Sequence, residues 1–175
     1  SYNNSEPIVH TLSSARSPLK GAAQQLHNDS RYPGAPFALT VTIVYCLEDF
    51  TKESGATRVV PGTHRNTTYA ENGKTYDNEV VLTAPRGSVV VFNGALWHGS
   101  SEKKTDATRW GAIFSYGRWF IKPSFDFTKN VPQDFYDQMT DQQKELLGFK
   151  FTPPRDEFTR ISSRSTTFEA PEDSY

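Results

Sequence analysis

The sequence contains a single cysteine, Cys46, among its 175 residues. One cysteine cannot form a disulfide within the chain or supply a cysteine-based zinc site, so a secreted disulfide scaffold is excluded and a reducing, cytoplasmic compartment is expected. No apolar run approaches the roughly 20 residues that cross a membrane, and the polar start SYNNSEP is unlike a signal peptide. With 19 basic and 20 acidic side chains, the net charge of −1 lacks the basic excess that attracts nucleic acid or anionic membranes. We therefore expect neither as a partner.

Aliphatic and aromatic residues make up only 35% of the chain, yet aromatic residues alone reach 13%. Aromatic rings bury large areas, and disordered chains lack them, so the composition indicates a folded, loop-rich domain. The length favours one domain with a core of its own.

Alternation of apolar and polar residues predicts strands through the first two thirds of the chain. The clearest is 38–47 (ALTVTIVYCL), which is rich in β-branched residues. Shorter strands, separated by turns rich in proline, glycine and asparagine, are predicted at 8–12, 56–60, 79–82, 88–92 and 110–116. This spacing predicts an antiparallel sandwich or barrel.

One segment, 132–147, has a helical pattern. Asp134, Thr140 or Asp141 could cap it, and Gly148 is a typical stop signal. The remainder, 149–175, is polar and contains too few apolar residues for a core. We expect it to lie on the surface.

The four histidines are His10, His27, His64 and His98. His27 and Asp29 stand two residues apart, so in an extended segment they would project from the same face. His98, beyond the strand predicted at 88–92, is available as a third ligand. Two histidines and one carboxylate form the facial triad of non-haem Fe(II) oxygenases, which leaves coordination positions open, whereas zinc usually prefers a closed or three-histidine set.

Arg109 precedes the strand predicted at 110–116. A guanidinium next to a metal site suits the capture of a carboxylate whose other end chelates the metal. The dicarboxylate 2-oxoglutarate has that shape.

These residues belong to a longer pattern that resembles the phytanoyl-CoA dioxygenase family of Fe(II)/2-oxoglutarate oxygenases. The resemblance covers about residues 22–120 and consists of His27-x-Asp29, the run 54–64 (SGATRVVPGTH), the strand 87–92 (GSVVVF), the run 96–99 (LWHG) and Arg109. The sequences of 24–27 (QQLH) and 55–62 (GATRVVPG) are most similar to those of members that tailor microbial natural products.

The resemblance implies an all-β core with a peripheral helix, a double-stranded β-helix of the jelly-roll, cupin-like type. It implies that His27, Asp29 and His98 ligate Fe(II) and that Arg109 pairs with the distal carboxylate of 2-oxoglutarate. Three further residues match positions that contact this cosubstrate: Gln24, Thr57 and Ser100. The domain division expected is a catalytic core over 1–130 whose N-terminal part is incomplete, with the helix and extended tail of 131–175 packed on it.

The implied activity is oxidation of a small organic molecule, most simply its hydroxylation in secondary metabolism, with O₂ consumed and 2-oxoglutarate decarboxylated to succinate. Desaturation, epoxidation and rearrangement are alternatives within the same chemistry. Asp29 disfavours halogenation, because related halogenases carry a small residue there. Alternation from Arg109 makes Ile113 and Ser115 candidate substrate contacts. We expect a small-molecule partner and allow for a homodimer.

Two other functions fit the same residues less fully. One is a cupin-like metal enzyme that does not use 2-oxoglutarate. Arg109 is the residue that distinguishes a 2-oxoglutarate oxygenase from such an enzyme. The other is a non-catalytic jelly-roll binding module, against which tight metal binding would count. His64 follows a Pro-Gly turn and is expected to be structural, and the acidic residues Glu48, Asp49 and Glu53 are expected to form a solvated loop.

Overall fold

The computed structural model describes residues 7–16 and 18–151. Its seven strands are β1 (Pro7–Arg16), β2 (Thr40–Cys46), β3 (Thr57–Val59), β4 (Val80–Val81), β5 (Val89–Asn93), β6 (His98–Ser100) and β7 (Gly111–Arg118). Each of the six predicted segments overlaps one of these strands, whereas β6 was not predicted. Three short helices follow: α1 (Phe127–Asn130), α2 (Gln133–Gln138) and α3 (Asp141–Leu146).

The strands form two antiparallel sheets. One has four strands in the order β1-β7-β2-β5, and the other has three in the order β4-β3-β6. The chain before β2 extends the smaller sheet, because His27 forms an antiparallel bridge with His98 and the backbone N–H of Gln24 donates to the carbonyl of Ser100. Two sheets of four chain segments each, with this crossing order, are the jelly roll predicted above.

The sequence of β2 shows how the sheets are oriented. Thr40, Thr42, Val44 and Cys46 are buried, while the residues between them are half-buried or exposed. This period of two places one face of the four-stranded sheet against the smaller sheet. A first core cluster joins β2 to Phe50, Ala56 and Phe92, and a second contains Leu26, Val60 and Trp97.

The opposite face of the large sheet is apolar. Tyr45, Val89 and Val91 are exposed there, and Ile43, which lies directly across from Val91, is half-buried. The described residues leave this face uncovered.

The helical prediction at 132–147 was correct in type and wrong in continuity. The chain leaves the helical conformation at Met139, whose ψ is 140°, so two helices form instead of one. Thr140 then caps α3 through a capping box with Gln143, which explains the break because the cap requires an extended backbone at that residue. Gly148, with φ of 88°, follows α3. Helix α3 lies near β1, and most of the expected tail, 152–175, lies outside the described residues.

In the described part of the chain, no helix has the length and apolar character that crossing a membrane requires.

Gly94 permits a close approach between β2 and the turn after β5. Its N–H donates to the carbonyl of Thr40 at 2.9 Å, and its carbonyl accepts from Ser30 at 2.8 Å. A Cβ at Gly94 would fall on the Thr40 hydroxyl. We therefore predict that Gly94→Ala destabilises the fold by about 1–3 kcal/mol through overpacking, measured as the free energy of unfolding in urea.

The double variant provides the control for this prediction. Thr40→Ala removes the hydroxyl that the new Cβ would meet, so Gly94→Ala should cost less in that background. Equal costs in the two backgrounds would show that Thr40 is not the source of the clash.

Candidate metal and cosubstrate site

His27, Asp29 and His98 converge between the two sheets. One ligand atom from each side chain, two imidazole nitrogens and a carboxylate oxygen, can be chosen so that all three lie within 4.8 Å of one another. Nε2 of His27 is 3.8 Å from Oδ1 of Asp29, and Nε2 of His98 is 3.6 Å from Oδ2. The three residues come from two chain segments that are far apart in the sequence.

Backbone pairing aligns the two imidazoles. The N–H of His27 donates to the carbonyl of His98 at 2.9 Å, and the N–H of His98 donates back to the carbonyl of His27 at 2.8 Å. This reciprocal pair places the side chains side by side, with ring centroids 4.4 Å apart.

The local backbone also fixes which nitrogen of each ring is free. Nδ1 of His27 lies 3.0 Å from the carbonyl oxygen of Gln25, and Nδ1 of His98 lies 2.9 Å from that of Leu96. Because a carbonyl oxygen only accepts, each Nδ1 must carry the proton and donate it. Each Nε2 therefore presents its lone pair toward Asp29, as a metal ligand would.

His98 is the more deeply buried of the two histidines, packed against the ring of Phe92 at a centroid distance of 4.6 Å. Burial lowers the pKa of His98 from its ordinary value, against an opposing effect of the Asp29 carboxylate. Burial thus favours the neutral ring, which is the form that binds a metal ion.

Asp29 lies on an irregular segment after His27, and its carboxylate is held from the large sheet. Oγ1 of Thr42, on β2, donates a hydrogen bond of 2.5 Å to Oδ2 of Asp29. The Thr42 side chain is 1% exposed. Thr42 was not predicted as part of the site, although a polar side chain on the buried face of a strand was a usable signal.

Arg109 lines the same cavity and is 6% exposed. Its guanidinium carbon lies 4.1 Å from the ring centroid of Phe50, and Nη2 donates to the carbonyl of Gly55 at 2.6 Å. Burial lowers the pKa of Arg109, and the nearby groups Cys46 and Glu48 act in the opposite direction. A guanidinium remains cationic in proteins, so the structure holds a positive charge at the wall of the cavity.

The cavity has a volume of about 580 Å³. Its lining includes four further residues that were predicted: Gln24, Thr57, Ser100 and Ile113. It also includes four that were not predicted: Pro18, Leu19, Val44 and Phe92. Ser115 faces the core, as the alternation predicts, but is not part of this lining.

Gln24 and Ser100 bind each other across the edge of the small sheet. The N–H of Gln24 lies 3.2 Å from the Ser100 hydroxyl, and Oε1 of Gln24 accepts from the N–H of Ser100 at 3.3 Å. The two candidates thus meet at one edge of the cavity.

Glu48 was expected in a solvated loop, and that expectation is wrong. Its Oε2 accepts from the N–H of Trp110 at 2.7 Å and its Oε1 from the Thr108 hydroxyl at 3.1 Å, so the carboxylate binds both residues that flank Arg109. Asp49 likewise accepts from the N–H of Arg86 at 2.7 Å, although it is exposed. Sequence pattern cannot reveal these bonds because their donors are distant in the chain.

The sequence model of the phytanoyl-CoA dioxygenase family matches residues 2–111. This range includes the convergent triad, Arg109 and the first six strands. The chain belongs to the phytanoyl-CoA dioxygenase family. The resemblance inferred from the sequence motifs is therefore confirmed.

Individual relatives agree with this membership. The chain is 31% identical over 110 residues to dioxygenase af480 of Aspergillus fumigatus, which covers 62% of this chain and 36% of that protein. It is also 31% identical over 136 residues to dioxygenase trt7 of Aspergillus terreus, covering 73% of this chain and 46% of that protein. The chain spans less than half the length of these two curated relatives.

Solved structures support the fold. Apo HygX from Streptomyces hygroscopicus has a TM-score of 0.51 at 20% identity, covering 62% of this chain and 57% of that chain. AviO1 from Streptomyces viridochromogenes Tue57 has a TM-score of 0.51 at 23% identity, covering 62% and 49%.

The carboxylate of Glu48 provides a test of the frame around Arg109. Glu48→Ala removes both accepting oxygens, so the N–H of Trp110 and the hydroxyl of Thr108 each lose this hydrogen bond. We predict a loss of about 1–2 kcal/mol in the free energy of unfolding, measured by urea denaturation. Glu53→Ala, at an exposed position of the same region, is the control and should change stability by less than about 0.5 kcal/mol. Equal effects of the two substitutions would contradict the structural role of Glu48.

Proposed function

We propose that this protein is an Fe(II)- and 2-oxoglutarate-dependent oxygenase that oxidises a small organic molecule. The observation that carries the proposal is the convergence of His27, Asp29 and His98 on one cavity that also contains the buried cation Arg109. Membership of a dioxygenase family supports it. The structural neighbour HygX has been solved with iron bound and with nickel and 2-oxoglutarate bound, which is consistent with this assignment.

The donor set fits a ferrous ion. Two neutral imidazoles and one carboxylate on one side of a metal are the facial arrangement of Fe(II) oxygenases, which leaves the other positions for cosubstrate and O₂. The protonated Nδ1 atoms of His27 and His98 restrict both rings to the Nε2 atom as the ligand. Asp29 supplies a negative charge that offsets part of the charge of the metal.

In this assignment Arg109 pairs with the distal carboxylate of 2-oxoglutarate. A guanidinium offers two parallel N–H donors to a carboxylate, and its burial strengthens the ion pair because little water competes. Gln24, Thr57 and Ser100 offer polar contacts along the same cavity. Phe50 and the Gly55 carbonyl hold the guanidinium in place before the ligand arrives.

Iron, 2-oxoglutarate and O₂ together supply the oxidising chemistry when bound, with decarboxylation of 2-oxoglutarate to succinate. The protein's contribution is position and exclusion of water. Apolar walls from Val44, Phe92 and Ile113 limit the water around the triad. Hydroxylation is the simplest outcome for the substrate. We place the activity in secondary metabolism because the sequences of 24–27 and 55–62 are most similar to those of natural-product tailoring enzymes.

The cupin-like alternative without 2-oxoglutarate shares the triad but has no use for Arg109. The binding-module alternative would require neither metal nor turnover. Both are distinguished from our proposal by one experiment, in which the protein is incubated with Fe(II), 2-oxoglutarate, O₂ and a panel of small organic molecules. Formation of succinate supports the proposal, whereas tight Fe(II) binding without any 2-oxoglutarate binding or turnover would favour the cupin-like enzyme.

Replacement of a ligand tests the metal assignment. His98→Ala should weaken Fe(II) binding, measured anaerobically by calorimetry, by more than the roughly 10–100-fold that loss of an outer-shell partner costs. His64→Ala is the matched control, because His64 lies in a short 3₁₀ helix (Thr63–Arg65) and is not part of the triad. Unchanged Fe(II) affinity in His98→Ala would exclude His98 as a ligand.

Arg109 is tested against a second arginine in a similar setting. Arg118 also lies over a phenylalanine ring and donates to a backbone carbonyl, but it is at the other end of β7. Arg109→Gln removes the charge and should raise the 2-oxoglutarate concentration needed for half-maximal turnover by roughly 10–100-fold, since hydrogen bonds to charged groups contribute about 1.5–3 kcal/mol. Arg118→Gln should leave that concentration unchanged. Equal shifts in both variants would mean that Arg109 does not bind the cosubstrate.

A further inference from the structure

We propose that Thr42 is a positioning residue for the metal site, which acts by fixing the orientation of the Asp29 carboxylate. This inference rests on the proposed function of the triad. Its structural basis is the hydrogen bond of 2.5 Å from Oγ1 of Thr42 to Oδ2 of Asp29.

Among the described residues, backbone groups already orient the two histidines, whereas none binds the Asp29 carboxylate. Each imidazole is held through Nδ1 by a carbonyl two residues earlier in the chain. Asp29 lies in an irregular segment, outside the strands and helices, and its side chain is 30% exposed. A carboxylate in this setting can rotate between arrangements that present one or both oxygens to a metal.

Thr42 occupies one of those two oxygens from a rigid support. It lies in the middle of β2, paired with Phe92 on β5 and with Ser115 on β7. Its side chain is almost fully buried, so the hydroxyl has little freedom to leave the carboxylate. The bond engages Oδ2 and leaves Oδ1 with the larger free capacity to accept a cation.

This arrangement has a chemical consequence for an enzyme with a chelating cosubstrate. Three positions on the metal are needed beyond the three protein ligands, two for the cosubstrate and one for O₂. A carboxylate that bound through both oxygens would take one of these positions. A hydroxyl donor on Oδ2 opposes that arrangement and reduces the rotational freedom that must be lost when the metal binds.

The chain offers a matched pair of variants and an internal control. Thr42→Val replaces the hydroxyl with a methyl group of similar size, and Thr42→Ser keeps the hydroxyl while removing a methyl group. Thr40→Val makes the same exchange two residues earlier on the same buried face, where the hydroxyl has no hydrogen-bond partner within the described structure. The readout is the dissociation constant for Fe(II), and separately for Co(II), measured anaerobically by calorimetry without substrate or turnover.

We expect Thr42→Val to weaken the binding of both metals by roughly 10–100-fold, as loss of an outer-shell partner typically does. Thr42→Ser should bind within about threefold of the parent, and so should Thr40→Val, even if its melting temperature changes. A purely structural role for Thr42 would lower the melting temperature without this rescue pattern. Circular dichroism spectra and melting curves of all variants establish that the compared proteins are folded.

Two results would overturn the inference. One is a folded Thr42→Val protein whose metal affinity equals that of the parent, and the other is Thr42→Ser binding as weakly as Thr42→Val. If Thr42→Val does not fold, Thr42→Ser and Thr42→Ala are compared instead, and equal affinities of those two variants contradict the role of the hydroxyl. Failure of the proposed function itself gives different results. A parent protein that binds neither Fe(II) nor Co(II) shows that the triad is not a metal site. A parent that binds Fe(II) without 2-oxoglutarate turnover shows another metal enzyme, in which the comparison of the Thr42 variants still tests the positioning role.

Discussion

The site depends on one pair of backbone hydrogen bonds, those exchanged between His27 and His98. These two bonds join the chain before β2 to β6, whose other edge pairs with β3. They therefore add this segment to the edge of the small sheet and place the two imidazoles next to each other. A fold in which the ligand-bearing segments were joined only by side-chain packing would leave the distance between the two Nε2 atoms less well defined.

A second constraint comes from the burial of charge. Arg109 is almost completely buried, and burial of a cation is unfavourable unless other groups compensate. Two of the compensating groups are the ring of Phe50, which offers a π face, and the carbonyl of Gly55, which offers a dipole. Glu48 is close enough to act on Arg109, but its oxygens bind the backbone of Trp110 and the side chain of Thr108. A carboxylate that entered the cavity would meet a cation that the fold has already desolvated.

Much of this architecture was predictable, and the exceptions have physical causes. Alternation in β2 was clear because a strand with one buried face must repeat every two residues. Strand β6 escaped detection because its three residues, His98–Ser100, are too short and too polar to show any period. The motif of the triad and Arg109 is recognisable without knowing the fold, and the structure places all four residues at one cavity. The hydrogen bonds of Thr42 and Glu48 were not predictable, because each joins segments that come together only in the folded jelly roll.

Thr42 was not among the predicted site residues. Its hydrogen bond to Asp29 explains why a hydroxyl occurs at this buried position. A buried strand position normally favours Val or Ile, because a hydroxyl without a partner loses its hydrogen bonds to water. Thr42 has a partner, and that partner is the one triad member that lies on neither a strand nor a paired bridge. The histidines are thus oriented by hydrogen bonds to backbone carbonyls of their own segments. The aspartate is oriented by a side chain on the four-stranded sheet. A side chain on a loop can be held as firmly as one on a strand only when a rigid element bonds to it, and β2 is the element that does so for Asp29.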